Sequence, residues 1–201
     1  MRYPPDHMER VRGRILRAAS RRFRGRGTEG VAIAELMRDL KLTHGGFYRH
    51  FAGKEELFRE ALAYGAAEAA ARMLAAAKRA PAGRELEAII DAYLSPKHCA
   101  NPAVGCPIAA LATEIGRHSR ETRSKFNRVV RGYVAAVAPL MPGRSVAEKE
   151  RNAMVLFSGM AGVLNLARAT SDEKLRRAIL RNGRAFYARA LRGSSRSLLH
   201  R

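Results

Sequence analysis

Tryptophan is absent and only two cysteines, Cys99 and Cys106, occur in the 201 residues. A disulfide scaffold is therefore excluded, and any thiol role falls to reduced side chains. Acidic residues are scarce, 18 against 38 Lys and Arg, and the resulting formal charge of +20 favours polyanionic partners such as nucleic acid. Charge alone does not mark a DNA-reading end, because residues 1–60 carry a net +6 and the remainder +14. No apolar run is long enough to span a bilayer: the most apolar stretch, Ala153–Ala167, is short and interrupted by Ser158 and Asn165. Met1–Ser20 holds several arginines and no apolar segment of export-signal length, which predicts a cytoplasmic protein. Catalytic constellations are missing too. The six histidines are scattered, no carboxylate pair sits in a recognisable motif, and no phosphate-binding glycine loop precedes a helix. No cofactor is expected, and no metal, since His98, Cys99, Cys106 and His118 lack a zinc-type spacing.

What the chain does have is helical periodicity. Apolar residues recur at steps of three and four almost throughout, and no stretch shows sustained two-residue alternation, so the chain reads as all-α. Breaks rich in Gly, Pro and capping residues fall at Arg24–Gly30, Lys41–Thr43, Ala52–Gly53, Pro81–Gly83, Ser95–Gly105, Pro139–Ser145 and Thr170–Asp172, leaving about nine helices. The final segment, Gly193–Arg201, is small-residue-rich and basic and is expected to fray.

In the first helix Val11, Ile15, Ala18, Ala19 and Phe23 share one face, while Arg10, Arg14, Arg17, Arg21 and Arg24 follow another as a basic stripe. Next, Ile33, Leu36, Met37 and Leu40 make one apolar stripe on a short helix, and Thr43 follows as an N-cap. Beyond it, Phe47 and Phe51 anchor a turn at i and i+4 while His44, Tyr48 and Arg49 project elsewhere. Gly45 and Gly46 weaken a helix by about 1 kcal/mol each. They either let the backbone approach a groove floor or sugar-phosphate chain closely, or pack against a neighbouring helix.

The segment Thr43-His-Gly-Gly-Phe-Tyr-Arg-His-Phe51, followed by Gly53-Lys54-Glu55-Glu56-Leu57, resembles the recognition helix of TetR/AcrR bacterial transcription regulators and the start of the helix after it. The resemblance is strong over residues 10 to 65. It implies a three-helix helix-turn-helix domain over 1–60 and an effector-binding and dimerising helical domain over 61–192. It further implies that Thr43, His44, Gly45 and Gly46 lie at or near bases, that Tyr48 and His50 touch phosphates, and that Lys54 holds the DNA backbone. Arg49 reaches either; as a guanidinium it supplies a strong guanine preference if it meets a base edge, with His44 a weaker candidate. Two departures stand out. Ala32 replaces the usual Ser or Thr cap of the second helix, and Lys41 replaces the usual glycine of the turn, which requires a backbone that tolerates a side chain.

Resemblance thins after Tyr64. The segment Val146–Thr170 is apolar on several sides, through Met154, Val155, Phe157, Leu164 and Leu166, which predicts burial all round. Its small residues Ser158, Gly159, Ala161 and Gly162 admit a close partner helix, and the last helix offers Leu175, Ala178, Ile179, Phe186 and Ala190. By the resemblance these two helices form a homodimer interface, which presents two heads to a palindromic double-stranded operator. Tyr93, Cys106, Leu111, Phe126 and Tyr133 are candidates for an effector pocket, the effector being unknown, with ordinary core packing as the alternative. Cys106, bracketed by Gly105 and Pro107 at a helix start, either gains thiolate character from the helix dipole and from a protonated His98, with Cys99 in the preceding loop as its resolving thiol, or is, like Cys99, a small buried residue of ordinary reactivity. Against a redox- or ligand-responsive repressor stand a thiol-dependent enzyme and a nonspecific basic nucleic-acid-binding protein.

Overall fold

The computed structural model describes residues 5–197, and the elements among them are ten α-helices and two short 3-10 turns. The helices are α1 (Pro5–Arg26), α2 (Ile33–Asp39), α3 (His44–Phe47), α4 (Lys54–Arg79), α5 (Glu85–Tyr93), α6 (Pro96–Ala100), α7 (Pro107–Ile115), α8 (Arg120–Val137), α9 (Val146–Ala169) and α10 (Glu173–Ser197). The all-α expectation holds. The extra helix is α6, cut from the segment expected to be loop: Ser95 accepts the His98 N–H at 3.1 Å and Pro96 opens the turn. At the other end α10 runs on to Ser197, beyond the point where fraying is expected, and residues 198–201 of that tail lie outside the described residues.

The chain forms two compact units. The first is built from residues up to Glu68 together with Pro102–Arg128, the second from Ala69–Asn101 and Val129 onward. The expected boundary at residue 60 falls inside α4, and the first unit is discontinuous in sequence. Its core is made where Val11, Ile15, Ala19 and Phe23 of α1 meet Leu36 and Met37 of α2, Phe47, Phe51, and Leu57 and Phe58 of α4, all buried. The α1 apolar face is as the periodicity predicts, but the basic stripe is not uniformly free. Arg14 donates to the Leu40 carbonyl at 3.0 Å, Arg17 to the Tyr64 hydroxyl at 3.1 Å, and Arg24 is buried, 3% exposed, donating to the carbonyls of Ser20 and Gly105. Burial of Arg24 corrects its placement on a solvent face.

The turn between α2 and α3 explains how Lys41 stands in for glycine. The Lys41 N–H bonds the Arg38 carbonyl and the Leu42 N–H the Met37 carbonyl, both at 2.9 Å, the paired bonds of a Schellman cap. Lys41 pays for it with φ 57, the left-handed region. A Cβ there costs about 1–2 kcal/mol, of which glycine would return all but the 0.5–1 kcal/mol of its own chain entropy. Lys41→Gly should therefore raise the urea midpoint by an amount worth about 0.5–1 kcal/mol. A lower midpoint would show that the Lys41 side chain holds the turn.

In the second unit α9 packs along α10. Ala153, Leu156, Phe157, Met160, Leu164 and Ala167 of α9 are buried, and Gly159 admits the Tyr187 ring so closely that a Cβ would collide with its hydroxyl. Burial all round, however, is not what this chain achieves by itself. Val155 is 71% and Phe186 60% exposed, with Met154, Leu166 and Leu175 also open. The apolar surplus read from the sequence is an uncovered outer face.

Candidate nucleic-acid interface

Only four residues make up α3, so its geometry comes from its ends. Thr43 adopts an extended backbone and its hydroxyl accepts the Gly46 N–H at 3.2 Å. Beyond the helix, His50 and Phe51 N–H groups bond the Phe47 carbonyl and close the turn. Phe47 and Phe51 stack at 5.6 Å between centroids in the core, and the Arg12 guanidinium lies 4.7 Å over the Phe51 ring. Against that floor Thr43, His44, Gly45, Tyr48 and Arg49 are exposed, while Gly46, His50 and Lys54 are half-buried. A Cβ on Gly45 would meet nothing within 4 Å, and one on Gly46 only the Thr43 hydroxyl at 3.1 Å. No neighbouring helix packs on the pair, so Gly46 makes room for the cap and Gly45 faces open space. Burial first, then the charges of Arg12, Arg49 and His7, lowers the His50 pKa. Ala32 makes no side-chain cap, as its composition requires.

Sequence reasoning missed the polar corner that holds this head. Glu55, in the first turn of α4, accepts from Thr122 Oγ1 at 2.6 Å, Ser119 Oγ at 2.9 Å and the His118 ring at 3.0 Å. The partners lie more than sixty positions away; the one visible signal was Ser119 as an N-cap, accepting the Thr122 N–H at 3.2 Å. Phe58 stacks on His118 at 4.5 Å. At the far end of the same segment, Glu114 accepts both the N–H and the hydroxyl of Thr28 at 2.8 Å, beside Gly27, whose φ of 72 suits glycine and whose Cβ position Glu114 occupies. The cleft of about 710 Å³ at this corner is lined by charges of both signs, Arg26, Glu29, Glu114 and Arg117 among them. That lining is unlike the apolar walls of most small-molecule cavities.

Burial opposes the Glu55 charge, but the bonds from Thr122, His118 and Ser119 outweigh it and hold the carboxyl at about 2. Because the folded value lies below the unfolded one, this stabilisation is complete above pH 4.5 and is lost as pH falls from there through 2. Side-chain exposure of 44% screens the effect and keeps it modest. Glu55→Gln should flatten the acid limb of stability over that window. An unaltered limb in thermal melts across pH would show that these bonds add nothing.

The remaining sequence candidates are divided. Cys106, Leu111 and Phe126 belong to the first unit, Tyr93 and Tyr133 to the second, where both rings pack on Phe157 at 5.8 and 5.0 Å. Cys106 does occupy the N-cap of α7, but it is 2% exposed and its side chain makes no cap bond. Cys99 is not in a loop: it is buried in α6, 5% exposed. Burial lowers the His98 pKa, against a Tyr93 carbonyl bond that raises it, and Arg168 and Arg72 lower it further, which disfavours the charged form that the thiolate argument draws on. No cluster of three or more His, Cys, Asp or Glu suited to a metal occurs among the described residues, and no helix among them is long and apolar enough to cross a membrane.

Two short helices joined by a capped turn, the second presenting exposed polar side chains from an aromatic anchor, define a helix-turn-helix DNA-binding protein. Residues 15–61 match the family model described as bacterial regulatory proteins, tetR family. The chain is 28% identical over 176 residues to an uncharacterized HTH-type transcriptional regulator of Mycobacterium tuberculosis, covering 82% of this chain and 88% of the relative. Its fold is that of a TetR-family regulator from Cytophaga hutchinsonii (TM-score 0.76, 17% identity, 92% and 97% of the two chains) and of one from Chloroflexus aurantiacus (0.73, 22%, 91% and 96%). Escherichia coli NemR in its reduced form is similar as well (0.72, 21%, 88% and 94%). Residues 15–61 thus carry the tetR-family match, and the fold of the chain is that of the solved TetR-family regulators.

Proposed function

We propose that this regulator is a homodimeric repressor that reads a palindromic operator with Thr43, His44, Gly45, Gly46, Tyr48 and Arg49, and holds flanking phosphates with His50 and Lys54. The observation that carries the reading is the empty space over Gly45 beside exposed Thr43, His44, Tyr48 and Arg49. A glycine that costs helix stability and has no packing reason serves a close approach by something absent from the free chain. The dimer forms through the outer face of α9 and α10, where Met154, Val155, Leu166, Leu175 and Phe186 are open. An apolar surface of that kind is what an isologous two-fold interface covers.

Residues 1–60 act as the reading head and the remainder to Arg192 as the effector and dimer body. Release by a small molecule is favoured over release by thiol modification, because Cys106 and Cys99 are both buried.

Gly45→Ala tests the reading directly. The variant should be more stable by about 0.5–1 kcal/mol, since Ala is the better helix former and has room, yet should bind a duplex selected from random DNA less tightly than wild type. Equal affinity for both proteins would remove Gly45 from the interface. Failure of the wild type to recover any preferred sequence would favour nonspecific binding.

A further inference from the structure

We infer that Glu55 is a positioning residue for DNA binding: held by His118, Ser119 and Thr122, it fixes the head of α4, and with it Lys54, against the corner between α7 and α8. The inference rests on the proposed phosphate contact of Lys54.

Three donors converge on one carboxylate, at 2.6, 2.9 and 3.0 Å, and all come from the five residues 118–122. Thr122 is fully buried, so its hydroxyl has little beyond this carboxylate and the Ser119 cap to bond. The His118 ring is fixed on its face by Phe58, one turn along α4 from Glu55. A second tie, Glu114 to Thr28, pins the start of the same segment to the loop between α1 and α2. The corner therefore grips the head at two points, and a helix end gripped by charge-assisted bonds has little freedom to pivot.

An acidic side chain next to Lys54 at a DNA-facing helix end is otherwise paradoxical. Its charge repels phosphate, so a Glu55 without a positioning role would weaken binding and its neutralisation would strengthen it. The positioning role has the opposite sign, and this difference makes the test decisive.

The test measures dissociation constants for a duplex recovered by selection from random DNA, over a range of salt concentrations. Glu55→Gln should bind about tenfold more weakly, the scale of one lost charged hydrogen bond. Its salt slope should match wild type, because no phosphate contact is removed. Thr122→Val, which leaves the Glu55 charge and the side-chain volume in place, should weaken binding likewise, whereas Thr122→Ser should bind as wild type. Lys54→Ala should lower the salt slope by roughly 0.9, the value of one phosphate contact. Tighter or unchanged binding by Glu55→Gln overturns the inference, as does a lowered slope in that variant. An unchanged slope in Lys54→Ala instead overturns the phosphate contact, and the responses to Glu55→Gln and Thr122→Val still decide whether Glu55 positions the head.

Discussion

Arg24→Ala is expected to destabilise the protein by about 3–5 kcal/mol, the scale of removing one partner from a buried charged network. The guanidinium is 1% exposed and joins three elements: it donates to Ser20 on its own helix at 3.0 Å, to the Gly105 carbonyl ahead of α7 at 2.8 Å, and approaches Glu68 on α4 at 3.4 Å. Truncation leaves the Gly105 carbonyl without this donor and opens a cavity. Arg24→Met separates the two contributions, because it restores volume but not the donor, and should recover part of the loss while leaving about 1–3 kcal/mol missing. Urea denaturation of the three proteins checks this. A loss under 1 kcal/mol for Arg24→Ala would mean that the surrounding carbonyls find other donors.

Phe47→Ala should be as damaging, by about 3–5 kcal/mol for a fully buried aromatic, which lowers the melting temperature by about 10 °C in a chain of this length. Its functional effect should exceed its stability effect. A four-residue helix has no independent stability, and α3 stands on the stacked pair Phe47 and Phe51, with Tyr48 set edge-on to Phe47 at 5.2 Å. Sequence-specific binding should disappear well below the melting point, while weak nonspecific binding by the surrounding arginines persists. Retention of sequence preference at 25 °C would show that the Thr43 cap and Phe51 suffice to shape the turn.

These two residues differ in how legible they were. Phe47 was readable because its partner Phe51 is four positions away, and spacing on a helix is local information. Thr43 as a cap and Cys106 as the N-cap of α7 were readable for the same reason. Arg24 was misplaced on the basic stripe because periodicity assigns a face but not what packs on it, and the acceptors of Arg24 come from residues as distant as Gly105. Lys41 looked like a difficulty because composition cannot reveal φ. The Pro and Gly that flank Cys99 predict a loop, although Ser95 and Pro96 are also a helix start. Periodicity predicts burial for the exposed face of α9, because hydrophobicity does not say whether the cover comes from the same chain. The corner at Glu55 was illegible: its carboxylate and its three donors are joined only by the fold.

The first unit is assembled from two separated stretches of chain, and this bears on how the protein is made. Thr28 waits for Glu114, 86 positions later, and Glu55 for His118, 63 positions later. At translation rates of 5–20 residues per second, roughly 3–12 s pass between synthesis of Glu68 and of Arg128. Throughout that interval the nascent helix-turn-helix has its own internal contacts but neither of these two polar ties. Such non-local closure slows folding, and the head reaches its DNA-ready form only after the ribosome has moved well into the body of the gene.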